Sequence, residues 1–256
     1  MTTILWQEWY KIRHRRLPWL LLVVMVALMI GMGLAMGRSY SRLLAMTCYD
    51  SSMIIMLLLV IVGSTIFSQE FQNGTIITMA YRSKSRAAIF FAKLIALFLY
   101  DLALHVLAML VTILLNIVPV INDPVDWFAV YQYHQPLWIN MLATTGVDLV
   151  ASALIVSLVC LASCLINSNT LVIAINALII FMGSGLSANL LMAHVGPSQI
   201  IRWNPFNMLN LTNQYYNYAT YHLTSQLTNS QLLVGTLAYT VIFIMAGYLV
   251  FRRKKF

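Results

Sequence analysis

Six apolar stretches, at residues 17–36, 51–67, 87–118, 141–166, 170–192 and 232–251, divide the chain, and polar segments of unequal length separate them. A helix crossing a bilayer needs about 20 apolar residues. Each stretch meets or nearly meets that length, so the pattern predicts six transmembrane helices. The second is the shortest and leaves little slack for tilt. The third is the longest and is expected to project beyond the membrane at one end. Pro18, at the start of the first, suits the first turn of a helix, where a backbone N–H has no intrahelical partner.

Before the first span lies TILWQEWYKIRHRR, residues 3–16. On a helical wheel Leu5, Trp6, Trp9, Tyr10 and Ile12 fall in one arc. Gln7, Glu8, Lys11, His14 and Arg15 fall in the other. This predicts an interfacial helix with its aromatic face in the lipid boundary and its basic face toward anionic headgroups. The apolar run that follows exceeds a signal-peptide core, and no small-residue cleavage motif succeeds it, so a retained first span is expected.

The connecting segments differ in chemistry. Residues 68–93, SQEFQNGTIITMAYRSKSRAAIFFAK, join spans two and three. They carry one acid, Glu70, a turn signal at Asn73-Gly74, and the bases Arg82, Lys84, Arg86 and Lys93. Residues 119–140 hold no lysine or arginine but carry Asp123, Asp126 and the aromatics Trp127, Phe128, Tyr131, Tyr133 and Trp138. Spans four and five are joined by a tight turn at Asn167-Ser168-Asn169. Residues 193–231 are rich in Asn, Gln, Thr and Tyr yet too apolar for disorder, and one or two short helices lying on the outer membrane surface are expected there.

Composition agrees with this outline: 61% of residues are hydrophobic and only 9% charged, which leaves no room for a sizeable water-soluble domain. The fold class is therefore all-α, a single polytopic transmembrane domain over residues 1–256. The net charge of +8 would in a soluble protein suggest nucleic acid. Here twelve of the fifteen lysines and arginines precede span one, lie between spans two and three, or follow span six. Only Arg38, Arg42 and Arg202 fall on the opposite side. Under the positive-inside rule both termini and the 68–93 segment are cytoplasmic, in a cell membrane. The charge is topology, and nucleic acid is not a partner.

Candidate chemistry is sparse. Asp101 and His105 stand at i, i+4 in span three and share a helix face, and Asp148 lies within span four. Ionisable groups inside a membrane are costly and by default suggest a functional path. Their alternative role is an internal pairing that holds helices together. Cys48, Cys160 and Cys164 lack metal or disulfide spacing and are expected to be small packing residues. The histidines never form a His-Glu-x-x-His pattern. Ser64, Ser152 and Ser184 have no evident base, and Gly183-Ser184-Gly185 reads as a close-packing or kink site. None of the eleven glycines is followed by lysine, so the phosphate-binding loop of an ATPase is missing. No catalytic residue, metal site or cofactor is expected in this chain.

Taken together, these features resemble the membrane subunits of type-2 ATP-binding-cassette exporters. The resemblance runs over the whole chain. It rests on the basic amphipathic N-terminal helix, the six spans, and the motif Glu70-Phe71-x-x-Gly74-Thr75-Ile76 after span two, followed by Arg82, Lys84, Arg86 and Lys93. Asn204-Pro205-Phe206-Asn207 after span five and the basic tail from Gly247 to Lys255 complete it. The sequence looks most like short Gram-positive permeases associated with antimicrobial-peptide or lantibiotic immunity. The resemblance implies a separate ATPase subunit carrying ATP and Mg²⁺, a permease homodimer or heterodimer in membrane lipid, and a coupling helix within 68–93 that docks on the ATPase. Glu70 would sit near the start of that helix, where the macrodipole favours a negative charge. Phe71, Gly74, Thr75, Ile76, Met79, Tyr81 and Arg82 would complete the docking surface. The cargo implied is an amphipathic compound such as an antimicrobial peptide, an antibiotic or a lipid-like molecule. Two other readings stay open: an ion-coupled carrier working through Asp101, His105 and Asp148, and a ligand-sensing membrane subunit.

Overall fold

The structure, a computed structural model, describes residues 2–72, 85–117, 123–193 and 198–254. Among these residues there is no strand, and six helices are long and apolar enough to cross a membrane. The chain is an all-α polytopic membrane protein. Helix α1 (Thr2–His14) leads into the first span, α2 (Arg16–Met36). A 3-10 turn and the short α3 (Ser41–Met46) follow. The second and third spans are α4 (Ser51–Gln72) and α5 (Arg86–Ile117). The fourth and fifth are α6 (Leu137–Leu165) and α7 (Asn169–Met192). The short helices α8 (Ser198–Ile201), α9 (Leu211–Tyr216) and α10 (Tyr218–Ser225) precede the sixth span, α11 (Asn229–Arg253).

Local sequence sets several of these boundaries. Pro18 occupies the first turn of α2, though the helix begins two residues earlier at Arg16. Gly37 ends α2 with φ +73°, a left-handed conformation that glycine adopts without steric cost. Thr228 opens α11 with a capping box: it accepts a bond from the Gln231 amide at 3.3 Å, while its own amide donates to Gln231 Oε1 at 2.9 Å. Helix α5 has 32 residues, and at about 1.5 Å per residue its length of roughly 48 Å exceeds an apolar core of about 30 Å.

Burial distinguishes a central pair of helices from an outer set. Within the apolar windows, 72% of α4 and 61% of α6 are buried, against 22% of α2, α7 and α11. The face where α1, the end of α4, the start of α5 and the end of α11 gather is called here the near face. There Arg86 donates to the carbonyls of Arg252 (2.8 Å) and Lys254 (3.0 Å). Lys254 in turn donates to the Cys164 carbonyl (2.9 Å) and to Asn167 Oδ1 (2.6 Å) in the α6–α7 turn. These basic residues satisfy carbonyls that helix ends leave open.

The long segment before α11 departs from expectation in part. Its helices α8 and α10 are largely exposed, with Ile200, Tyr218 and Leu223 open, but its middle is not on the surface. Its 3-10 turn, Asn207–Asn210, and α9 enter the far half of the bundle and pack against α6, α7 and α11. Met208, Leu211 and Leu227 are buried there, as are Asn207 and Gln214. Two glycines admit the segment: a Cβ at Gly183 would stand 2.6 Å from Leu209 Cδ1, and one at Gly235 would run into Met208 Sδ. Non-helical backbone survives at such depth only if its polar groups are satisfied by protein. The amides of the segment do this. Asn207 Nδ2 donates to the carbonyls of Arg202 (2.6 Å) and Ser225 (2.8 Å), and Asn210 Nδ2 donates to Asn207 Oδ1 (3.0 Å). Gln214 Nε2 donates to the Leu227 carbonyl (2.8 Å) and Asn229 Oδ1 (2.9 Å). The three cysteines are free and buried, in keeping with packing roles.

Candidate functional site

On the near face three buried charged side chains, Glu8, Glu70 and Lys93, meet the half-buried Lys11. Lys93, on the second turn of α5, has no solvent exposure. Its Nζ lies 2.6 Å from Glu70 Oε2 and 3.2 Å from Glu8 Oε1, and donates to the Ile66 carbonyl at 3.2 Å. Lys11 Nζ lies 2.8 Å from Glu70 Oε1 and 2.9 Å from Glu8 Oε1. Among the described residues two acids thus face two bases, and the Lys93 ammonium also stands 5.8 Å from the Phe67 ring centre. The cluster uses both glutamates of the chain and ties α1 to the end of α4 and the start of α5.

The electrostatics follow from this geometry. Burial works against the Glu70 carboxylate, but the Lys93 charge and the Lys11 hydrogen bond outweigh it and hold the group below its ordinary value. Burial likewise opposes a charged Lys11, yet the bond and charge of Glu70, with Glu8 adding, hold it above its ordinary value. Removing one member leaves an uncompensated buried charge, which is far more costly than the paired set.

Two expectations are corrected here. Glu70 does not start a helix; α4 continues to Gln72, so Glu70 occupies a last turn, where the macrodipole disfavours an anion. The two lysines offset that penalty. Glu8 and Lys11 do not face headgroups, because Glu8 is buried and both point into the cluster. Trp6 and Tyr10 remain exposed on the other side of α1, as an interfacial face requires. Lys93, read from sequence as a topological charge, is the most deeply buried member. The expected docking residues Gly74, Thr75, Ile76, Met79, Tyr81 and Arg82 lie outside the described residues, as does the Phe71 side chain.

A second polar group lies within the spans. On α5, His105 Nδ1 sits 3.0 Å from Asp101 Oδ1 and 3.0 Å from the Asp101 carbonyl. Ser152 on α6 donates to Asp101 Oδ2 at 2.6 Å. Asp148, one turn earlier on α6 and eleven residues from its start, is fully packed and within electrostatic range of His105. The structure therefore brings together all three intramembrane residues singled out in the sequence. Just outside α4, the turn that leads to them is strained. Cys48, Tyr49 and Asp50 hold φ of 48°, 55° and 55°, a left-handed run costing about 1–2 kcal/mol per non-glycine residue. Burial raises the Asp50 carboxyl above its ordinary value. Nothing in the local sequence announces this turn.

Six spans, two of them central, a basic amphipathic helix beneath them and a charge cluster flanking the span-two to span-three connection define a membrane permease subunit. The chain belongs to the ABC-2 transporter family: the family model described as ABC-2 family transporter protein matches residues 4–184, from α1 into α7. No curated protein sequence matches the chain. Membership makes it a multi-pass plasma-membrane component of an ABC exporter, in a family whose permeases work with an ATPase subunit.

Proposed function

We propose that this chain is one half of a dimeric ATP-driven exporter, paired with a like or a different permease chain and with two copies of a separate ATPase. Segment 68–93 engages the ATPase, with Phe71, Gly74, Thr75, Ile76, Met79, Tyr81 and Arg82 as its docking residues. The Glu8–Lys11–Glu70–Lys93 cluster passes the resulting movement to the spans. The observation that carries this reading is that the cluster locks together the two helices flanking that segment and fastens α1 to both. A push on the connection then reaches α4 and α5 as one body, and α4 is the most buried span. ATP and Mg²⁺ are held by the partner, and this chain hydrolyses nothing. Both termini are cytoplasmic, as the placement of twelve of the fifteen basic residues favours.

The cargo is an amphipathic compound of the antimicrobial-peptide, antibiotic or lipid-like class. The aromatic character of the far-face segments supports this, with Tyr133 stacked on Tyr215 at 5.2 Å between ring centres. Affinity purification from native membranes tests the proposal, comparing wild type with Ile76→Ser plus Arg82→Glu. Co-purification of an ATPase with wild type and its loss from the variant is the expected result. Recovery of wild type alone, without ATPase activity, overturns it.

A further inference from the structure

The Asp101–His105–Asp148 group has no part in the coupling just described, and its charge does not balance in a membrane. Fully ionised carboxylates with a protonated imidazole leave one net negative charge, and a neutral imidazole leaves two. Nearby cations do not correct this. Lys93 lies eight residues from Asp101 along α5 and is committed to Glu8 and Glu70. Helix α7 carries no charged side chain, and the one in α2, Arg16, sits at its near-face start. The α3 base Arg42 is solvent-exposed. Tyr239 on α11 donates its hydroxyl to the Trp203 carbonyl, and Tyr100 on α5 donates to that of Pro18. The ionisable groups that do reach Asp148 are His105, Asp50, Cys48 and Tyr216, none of them a permanent cation.

Unpartnered atoms point into the same region. His105 is 2% exposed and Asp148 3% exposed, and neither His105 Nε2 nor Asp148 Oδ1 has a hydrogen-bond partner among the described residues. The hydroxyls of Thr212 on the inserted α9 and Ser52 on α4 face Asp148 from two sides, and neither brings a charge to it. Among the described residues no group of side chains has a metal-binding arrangement. The strained Cys48–Asp50 turn brings a half-buried carboxylate to the far-face side of the group, and strain of this kind persists where the surroundings impose it, commonly at functional sites.

We propose that Asp101, His105 and Asp148 form a buried proton-binding site, reached from the far face through Asp50, that holds two protons when neutral. Asp101 is stabilised as an anion by Ser152 and by the imidazolium of His105, which carries the first proton. Asp148, opposite the unpartnered atoms, carries the second. Losing the Asp148 proton leaves an unpaired charge between α4, α6 and α9, and this favours any arrangement of the bundle that opens the site to water. The ligand is the proton, and its loss shifts the permease between closed and open far-face states.

Infrared spectroscopy of the purified full-length chain in lipid nanodiscs, titrated with pH, reads the site directly and needs no ATPase, so it stands apart from the exporter reading. Wild type is expected to show the C=O stretch of a protonated carboxylic acid, lost as pH is raised. That band is lost in Asp148→Asn, shifted in Asp148→Glu and retained in Asp123→Asn, a surface control. Circular dichroism and elution volume identify variants that keep the fold, and Asp148→Glu preserves the test if Asp148→Asn does not fold. Absence of the band from wild type, or its persistence unshifted in a folded Asp148 variant, overturns the proposal. Displacement of the band by added sodium at constant pH also overturns it, in favour of a cation.

Discussion

Lys93 Nζ lies 2.6 Å from Glu70 Oε2, joining the second turn of α5 to the last turn of α4 across a connection of more than a dozen residues. Both groups are buried, and Lys93 completely so. Such a pair is costly to assemble in a low-dielectric setting and is held by its partners Glu8 and Lys11 and by the Ile66 carbonyl. A surface ion pair at this place would contribute little. This one makes the base of three helices a single unit.

Replacing Lys93 by methionine keeps the volume and removes the charge, leaving Glu8 and Glu70, among the described residues, to share Lys11. Destabilisation of about 3–5 kcal/mol is expected, read as a lower thermal unfolding midpoint in nanodiscs. The double exchange Glu70→Gln with Lys93→Gln removes one charge of each sign and is expected to recover part of that loss.

The cluster also predicts a pH window. Glu70 is held below its unfolded value, so its stabilisation is full above the ordinary carboxylate value of 4.5 and is lost as pH falls through the folded one. Lys11 is held above 10.5, so its contribution is full below that value and is lost as pH rises through the folded one. The difference in unfolding midpoint between wild type and Glu70→Gln is therefore expected to be flat between these limits and to shrink on the acid side. A difference that grows on acidification contradicts the assignment.

Gly235 is the door through which the segment before α11 enters the bundle. Gly235→Val sets a side chain against Met208 and the Trp203 ring, and a cost of about 1–3 kcal/mol is expected. Protease cleavage within residues 202–227 is expected to accelerate. Combining Gly235→Val with Met208→Ala is expected to restore resistance, because the thioether is what the new atoms meet.

Asn207 joins three parts of the same segment through one amide. Asn207→Leu leaves the Arg202 and Ser225 carbonyls and the Asn210 amide without their partner, each loss costing about 1–3 kcal/mol. Faster hydrogen exchange at residues 207–216 is the expected reading, with α2 unchanged.

How much of this was legible beforehand differs by element. The six spans were, because an apolar run of bilayer length permits little else, and Arg86–Ile117 differs from the expected 87–118 by one residue at each end. The pairing of Asp101 with His105 followed from their i, i+4 spacing, and the approach of Asp148 from a facing helix did not. A helical wheel turns Glu8 and Lys11 toward headgroups because it separates polar from apolar faces but cannot tell water from a buried partner. The inserted segment misled for a related reason: Asn207, Asn210 and Gln214 are polar, and only the fold reveals that they bond one another at depth. Three consecutive left-handed residues at Cys48–Asp50 leave no trace in composition.

The central claim is that the near-face cluster conveys ATP-driven movement to the far face. Pulsed electron resonance tests it in the purified permease–ATPase complex, with spin labels at Tyr10→Cys on α1 and Val234→Cys on α11, both exposed positions, and the three buried cysteines replaced by alanine. ATP is expected to shift the distance between the labels in wild type. In the Glu70→Gln, Lys93→Gln background the ATPase is expected to stay bound and to hydrolyse ATP while the distance stays fixed. A shift in that background as large as in wild type would contradict the account.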